Sequence, residues 1–84
     1  MPRYREYASL PDHLRAMLRA VTSDDGAAER YANAPNKNLK GQTVMGLMNL
    51  PFGQRAVERF LYDLGNYLGV DDMDRFLPEF GKKR

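Results

Sequence analysis

Residues 53–68, GQRAVERFLYDLGNYL, carry the clearest structural signal in the chain. At helical spacing, its large apolar side chains fall on one side of a helix. They are Val57, Phe60, Leu61, Leu64 and Leu68. Gly69 follows directly and suits the left-handed position that ends many helices. The pattern predicts a long amphipathic helix that begins near Pro51 and ends at Leu68.

The segment before residue 22 predicts a first helix, also with one apolar side. The repeating apolar residues there are Leu10, Leu14, Met17, Leu18 and Val21. Ser9 and Asp12 stand three residues apart and resemble a capping box, and Pro11 falls in the first turn. We therefore expect this helix to open at Ser9.

Prolines and capping residues divide the rest of the chain into shorter helices. Pro35 ends a segment over residues 27–34, because the residue before a proline is disfavoured in the helical region. Thr43 can cap a third helix from residue 44 to about 49. Asp71 or Asp72 caps a final turn, which Pro78 ends. No stretch keeps the strict alternation typical of a strand.

These elements predict an all-α fold, a small single-domain bundle of about four to five short helices. The domain spans residues 1–84, with residues 1–8 and 79–84 expected as flexible termini. The core is expected to contain Leu14, Leu18, Leu47, Val57, Phe60, Leu61 and Leu64.

Length and composition limit the function classes. The chain has 84 residues and a mass of 9.6 kDa, which is enough for one domain only. It has no cysteine, which excludes a disulfide framework and thiolate chemistry. It lacks the apolar segment of a signal peptide and any apolar run of membrane-spanning length. We therefore expect a soluble, cytoplasmic protein.

Catalytic motifs are absent from the sequence. His13 is the single histidine, and Ser9 and Ser23 are the only serines, which is too little for a hydrolytic triad. Next to an apolar stripe, His13 is better interpreted as a partly covered surface residue than as a base. The aspartates near residue 72 lack the loop of a calcium hand, and the glycines match no phosphate-binding loop. We expect no enzymatic activity, no metal and no cofactor.

Two groups of residues are candidates for binding a protein partner. The first projects from the long helix opposite its leucines and consists of Arg55, Arg59, Tyr62 and Asn66. Arginine and tyrosine often dominate interfaces, although a solvated face is an equally good interpretation. The second group is the tail, with Phe80, Lys82, Lys83 and Arg84. An apolar anchor beside a basic run suits an acidic pocket on a partner, whereas the simpler alternative is a frayed tail.

One motif pattern points to a known family. The pattern begins with a short helix that is followed by Pro-Asn. The motif Leu-x-Gly-x-Thr comes next and leads into a second helix, which contains a leucine. A glycine then interrupts the chain before a third helix, which has a valine near its start and a leucine further on. The residues in these places are Pro35, Asn36, Leu39, Gly41, Thr43, Leu47, Gly53, Val57 and Leu61. Residues 29–68 thereby resemble the toxin-binding domain of the Xre/MbcA/ParS antitoxins. The chain departs from that family at Val44, where proline is usual, and at Tyr31-Ala32, where Trp-Leu is favoured.

The resemblance implies a non-catalytic protein that binds a RES-type toxin, an enzyme that consumes NAD, and occludes its active site. Many members carry an Xre-like DNA-binding domain upstream, and too few residues precede Glu29 to expect one here. Two alternatives stay open. Residues 50–57, LPFGQRAV, resemble the turn of a helix-hairpin-helix, which would indicate DNA binding, although they lack its first glycine and are one residue short. A phage or host regulator of another protein would also need only a binding surface. The net charge of +2 permits nucleic-acid binding, but the thin spread of basic residues disfavours it.

Overall fold

The computed structural model describes residues 4–81, and this part of the chain is all-α, as predicted. It contains no strand within that range. The α-helices are α1 Asp12–Val21, α2 Asp25–Asn33, α3 Val44–Met48, α4 Gly53–Leu68 and α5 Pro78–Gly81. Short 3-10 turns lie at Tyr7–Ser9, Lys37–Leu39 and Met73–Arg75. None of the helices in the described range has the length and apolar character needed to cross a membrane.

The first helix begins later than its capping pattern predicts. The Ser9 hydroxyl donates to the Glu6 carbonyl at 2.6 Å, so it closes the preceding 3-10 turn. Pro11 is the residue before α1 and makes no side-chain cap. The predicted capping box of Ser9 and Asp12 is therefore wrong. The reason is that buried Tyr7 anchors its own turn, and the extended Pro11 then delays the helix to Asp12.

Two predicted helix boundaries are confirmed. The Thr43 hydroxyl accepts a hydrogen bond from the Gly46 backbone N–H at 2.8 Å and caps α3. Gly69 adopts φ +81° at the end of α4, in the left-handed region that glycine tolerates best.

The C-terminal boundaries were predicted wrongly. Asp72 precedes the Met73–Arg75 turn with φ +57° and forms no side-chain cap. Pro78 begins α5 instead of ending a helix, which is possible because the first turn of a helix needs no proline N–H.

The core lies between α1 and α4, with α2 and α3 closing it. Leu14 and Leu18 of α1 and Val57 and Leu61 of α4 are fully buried, as predicted. The other three residues are only partly buried: Leu47 and Phe60 pack against the edge of the core, and Leu64 is not part of it.

The buried side of α4 is turned from the predicted apolar stripe toward Tyr62 and Gly65. The buried positions of this helix are Gly53, Val57, Glu58, Leu61, Tyr62 and Gly65. At about 100° per residue, the centre of the set from 57 onward is roughly 75° from that of the stripe. Gly65 explains the rotation, because a β-carbon there would overlap the Met73 side chain. Met73 packs directly on the helix backbone instead.

The chain reverses direction sharply between α3 and α4. Gly53 lies so close to Leu47 that a β-carbon on it would overlap the Leu47 carbonyl oxygen. Phe52 directly before it has φ +62° and a side chain that is 91% exposed. This corner sets the direction of α4 relative to α3.

The described parts of the segments expected as flexible termini contact the bundle. The Tyr4 backbone N–H donates to Asn49 Oδ1 at 2.9 Å, and Asn49 Nδ2 donates back to the Tyr4 carbonyl at 3.0 Å. At the other end, Phe80 packs against the core residues. Tyr4 and Phe80 thus both contact the bundle.

A polar network joins the N-terminal turn to α1 and α2. Asp25 Oδ1 accepts from the Tyr7 hydroxyl at 3.0 Å and from Arg19 Nη1 at 3.1 Å. The Arg19 hydrogen bond, followed by that of Tyr7, lowers the pKa of Asp25. Burial, followed by the bond to Asp25, raises the pKa of Tyr7. The network thus favours a charged carboxylate beside a neutral phenol.

Candidate protein-binding surfaces of helix α4

The structure brings four of the predicted binding residues together. Phe80 is half-buried, with its ring centroid 5.3 Å from Arg55 Cζ and 5.5 Å from Arg59 Cζ. Its ring meets the Tyr62 ring edge-on, with centroids 5.2 Å apart. Cation–π and edge-to-face contacts of this kind are both favourable. The two predicted groups, helix face and tail, therefore form a single cluster, here called the tail site.

Tyr62 does not project outward as predicted. It is only 5% exposed, because Phe80 covers its ring. Its hydroxyl donates to Asp74 Oδ1. The prediction treated the exposed side of α4 as bare, and the sequence carried no sign that the C-terminal segment folds back over it.

The remaining predicted residues lie outside this cluster. Asn66 is exposed one turn further along α4. Lys82, Lys83 and Arg84 lie outside the described residues.

The guanidinium groups at the tail site have acidic partners. Arg55 Nη1 lies 3.1 Å from Glu58 Oε1 and 2.5 Å from Glu79 Oε1. The hydrogen bond to Glu79 raises the pKa of Arg55. Arg59 Nε lies 3.2 Å from Asp63 Oδ2. The site is thus a set of charge pairs around an aromatic ring and not an open basic patch.

Glu58 links the tail site to α1. Its side chain is buried, and Oε2 lies 2.8 Å from His13 Nε2 and 3.3 Å from Gln54 Nε2. A buried carboxylate needs such partners. The His13 side chain is about a third exposed, and its contact with Glu58 ties α1 to α4. The geometry fits the interpretation of His13 as a partly covered surface residue.

A second surface of α4 is an open apolar groove of about 460 Å³. Its lining residues are Asn38, Phe60, Asp63, Leu64 and Tyr67. Tyr67 is 87% exposed, and Leu68 beside the groove is 52% exposed. Sequence reasoning missed this surface because it assigned Phe60 and Leu64 to the core. The sequence did contain a signal for this surface. The apolar side chains of α4, with Tyr67 included, occupy a wider arc of the helix than a single core can cover.

The loop of residues 35–43 contributes one residue, Asn38, to the lining of the groove. The Asn36 side chain accepts from the Asn38 N–H at 2.9 Å, and the Asn36 carbonyl accepts from the N–H groups of Leu39 and Gly41, each at 2.9 Å. Gly41 has φ +84°, which favours glycine. The hydrogen bonds among Asn36, Leu39 and Gly41 therefore build the loop that places Asn38 at the groove.

No protein-family model, no curated protein and no solved structure matches the chain. Among residues 4–81, no three side chains of the types that bind metals lie in a group able to hold an ion. The two surfaces of α4 are thus the candidate functional features of the described part of the chain.

Proposed function

We propose that this chain is a non-enzymatic protein-binding module that neutralises a partner by occluding its active site. The observation that carries the proposal is the apolar edge of α4, formed by Phe60, Leu64, Tyr67 and Leu68. Apolar side chains that the fold leaves in contact with water are typical of interaction sites when they are contiguous.

The groove has the composition of an interface centre. Aromatic residues are enriched at such centres, and Tyr67 offers nearly its whole ring to a partner. Asp63 and Asn38 place polar atoms at the rim, where they can fix the orientation of a bound chain.

The resemblance to the Xre/MbcA/ParS antitoxins supports a toxin as the partner. Every residue that lines the groove lies within the resembling stretch, residues 29–68. The partner we propose is a RES-type toxin that consumes NAD, and the complex would form in the cytoplasm. The chain needs no catalytic group for this task, because covering the NAD site is sufficient to stop the toxin.

Tyr67→Ala tests the groove without disturbing the fold. Truncating an exposed hot-spot aromatic weakens binding by about 2 kcal/mol or more, which is roughly 30-fold in affinity. We therefore expect Tyr67→Ala to lose most of its inhibition of NAD cleavage by a purified RES-type toxin from the same genome. Its melting temperature should stay close to that of the wild type.

Phe52→Ala is the matched control, since Phe52 is an equally exposed aromatic residue. It lies fifteen residues earlier, at the other end of α4, about 22 Å away at 1.5 Å per residue. We expect this variant to inhibit the toxin as the wild type does. Equal inhibition by the wild type and Tyr67→Ala would refute the groove as the toxin-binding site. No inhibition by the wild type would refute the antitoxin assignment.

DNA binding, the alternative class, is expected to be weak. Arg15, Arg19, Arg55 and Arg59 each form an ion pair with an acidic side chain. Binding to DNA without sequence preference depends on neutralising several phosphates with clustered cations. A mobility-shift titration at about 150 mM salt should show no binding below roughly 10 µM. Submicromolar binding with a steep salt dependence would favour the DNA-binding alternative instead.

A further inference from the structure

The tail site is occupied by the chain's own C-terminal segment. α5 places two consecutive side chains on α4: Glu79 pairs with Arg55, and the ring of Phe80 lies close to Arg55 and Arg59. The bound element is thus an acidic residue followed by an aromatic residue. The structure therefore shows what chemistry this surface of α4 accommodates.

The contacts that hold the segment are those of a reversible complex. The Glu79 side chain is 56% exposed and Arg55 59% exposed, and ion pairs between exposed groups contribute little. α5 itself has only four residues. Leu77, directly before α5, is buried in the core and stays in place, so the part open to exchange is residues 78–80. Phe80 supplies the apolar contact of that part, and it is only half-buried. A short segment held in this way can be exchanged for another of the same chemistry.

The receptor side of the site is fixed by the fold independently of the tail. Arg55 also bonds to buried Glu58, which His13 and Gln54 hold in place. Arg59 pairs with Asp63 on the next turn of α4. The Arg55 guanidinium is thereby positioned by a buried carboxylate before any ligand arrives, which reduces the entropy lost on binding.

We propose that Arg55, Arg59 and Tyr62 form a peptide-binding site for a partner segment in which Glu or Asp precedes Phe. Such a segment displaces Glu79 and Phe80 and takes over their contacts. This site is distinct from the apolar groove, and its proposed ligand does not depend on the groove's partner being a toxin. Its ligand is set by the hydrogen bond that Arg55 Nη1 donates to a carboxylate and by the contact of an aromatic ring with the two arginines.

The test uses the full chain and a synthetic peptide, acetyl-LPEFG-amide, which has the sequence of residues 77–81. Phe80→Ala removes the competing ring of the tail while Glu79 remains, and Phe80→Leu is a second variant that keeps an apolar side chain but removes the ring. Binding is measured by NMR from the side-chain Nε–H signals of Arg55 and Arg59. We expect each variant to bind the peptide at least tenfold more tightly than the wild type, in which the tail competes.

Two control peptides test which side chains of the ligand the site recognises. The peptide carrying Phe80→Ala should cause no shift in these signals, and the peptide carrying Glu79→Gln should bind several-fold more weakly. The proposal is overturned if millimolar LPEFG peptide leaves the arginine signals of both variants unchanged. Equal affinity for the wild type and the variants, or equal binding of the Phe80→Ala peptide, would overturn it too.

Discussion

Leu61→Ala is expected to lower the free energy of unfolding by about 2–5 kcal/mol, whereas Leu64→Ala lowers it by about 1 kcal/mol or less. The two residues stand three positions apart on α4 and carry the same side chain. Leu61 is fully buried and would leave a cavity, while Leu64 lines the open groove, where its loss leaves no void. The total stability of a domain of this size is only about 5–15 kcal/mol, so the first effect is large.

Urea titration followed by circular dichroism measures both variants. The comparison tests which side of α4 faces the core, because the apolar stripe taken alone predicts equal losses. If Leu64→Ala proved as destabilising as Leu61→Ala, Leu64 would belong to the core and the groove would not exist as described.

Gly53→Ala is the second substitution with a large expected effect. In a helix, alanine is normally favoured over glycine by about 1 kcal/mol. Here the new β-carbon would overlap the Leu47 carbonyl oxygen, a backbone atom that cannot rotate away. Relieving the overlap would force α3 and α4 apart, and overpacking of this kind costs about 1–3 kcal/mol or more. We expect a net loss of stability despite the gain in helix propensity.

Gly26→Ala is the control that separates the effect of the steric overlap from the effect of helix propensity. Gly26 lies in the first turn of α2, is exposed, and a β-carbon there would make ordinary contacts at 3.4 Å and 3.5 Å. We expect this variant to gain up to about 1 kcal/mol of stability. Thermal unfolding of the two variants should therefore give shifts of opposite sign. A raised melting temperature for Gly53→Ala would show that the corner between α3 and α4 is looser than described.

The fold class could be predicted because local signals agree along most of the chain. Thr43 and Gly69 occupy the caps expected of them, and Leu14 and Leu61 are buried as their spacing indicates. The rotation of α4 could not be predicted in the same way. It depends on Met73, which packs against Gly65 from a separate turn, and such a contact leaves no trace in the spacing of α4.

The candidate site, too, could be predicted only where it depends on the local spacing of residues along a helix. Arg55 and Arg59 share a face through helical spacing, which is a local property. Their meeting with Phe80, and the consequent burial of Tyr62, depends on how the chain returns after Gly69. The groove was missed because Phe60 and Leu64 were both assigned to the core, whereas Phe60 packs only at its edge and Leu64 lines the groove.

The most direct test of the proposed function is methyl NMR of the leucine-labelled chain, titrated with an unlabelled RES-type toxin from the same genome. The apolar edge of α4 predicts that the largest shifts occur at the methyl groups of Leu64 and Leu68. The methyl groups of Leu50, which is 50% exposed at the other end of α4, should change little. Binding with the largest shifts at Leu50 or at Leu18 of α1, and none at Leu64 and Leu68, would contradict the account.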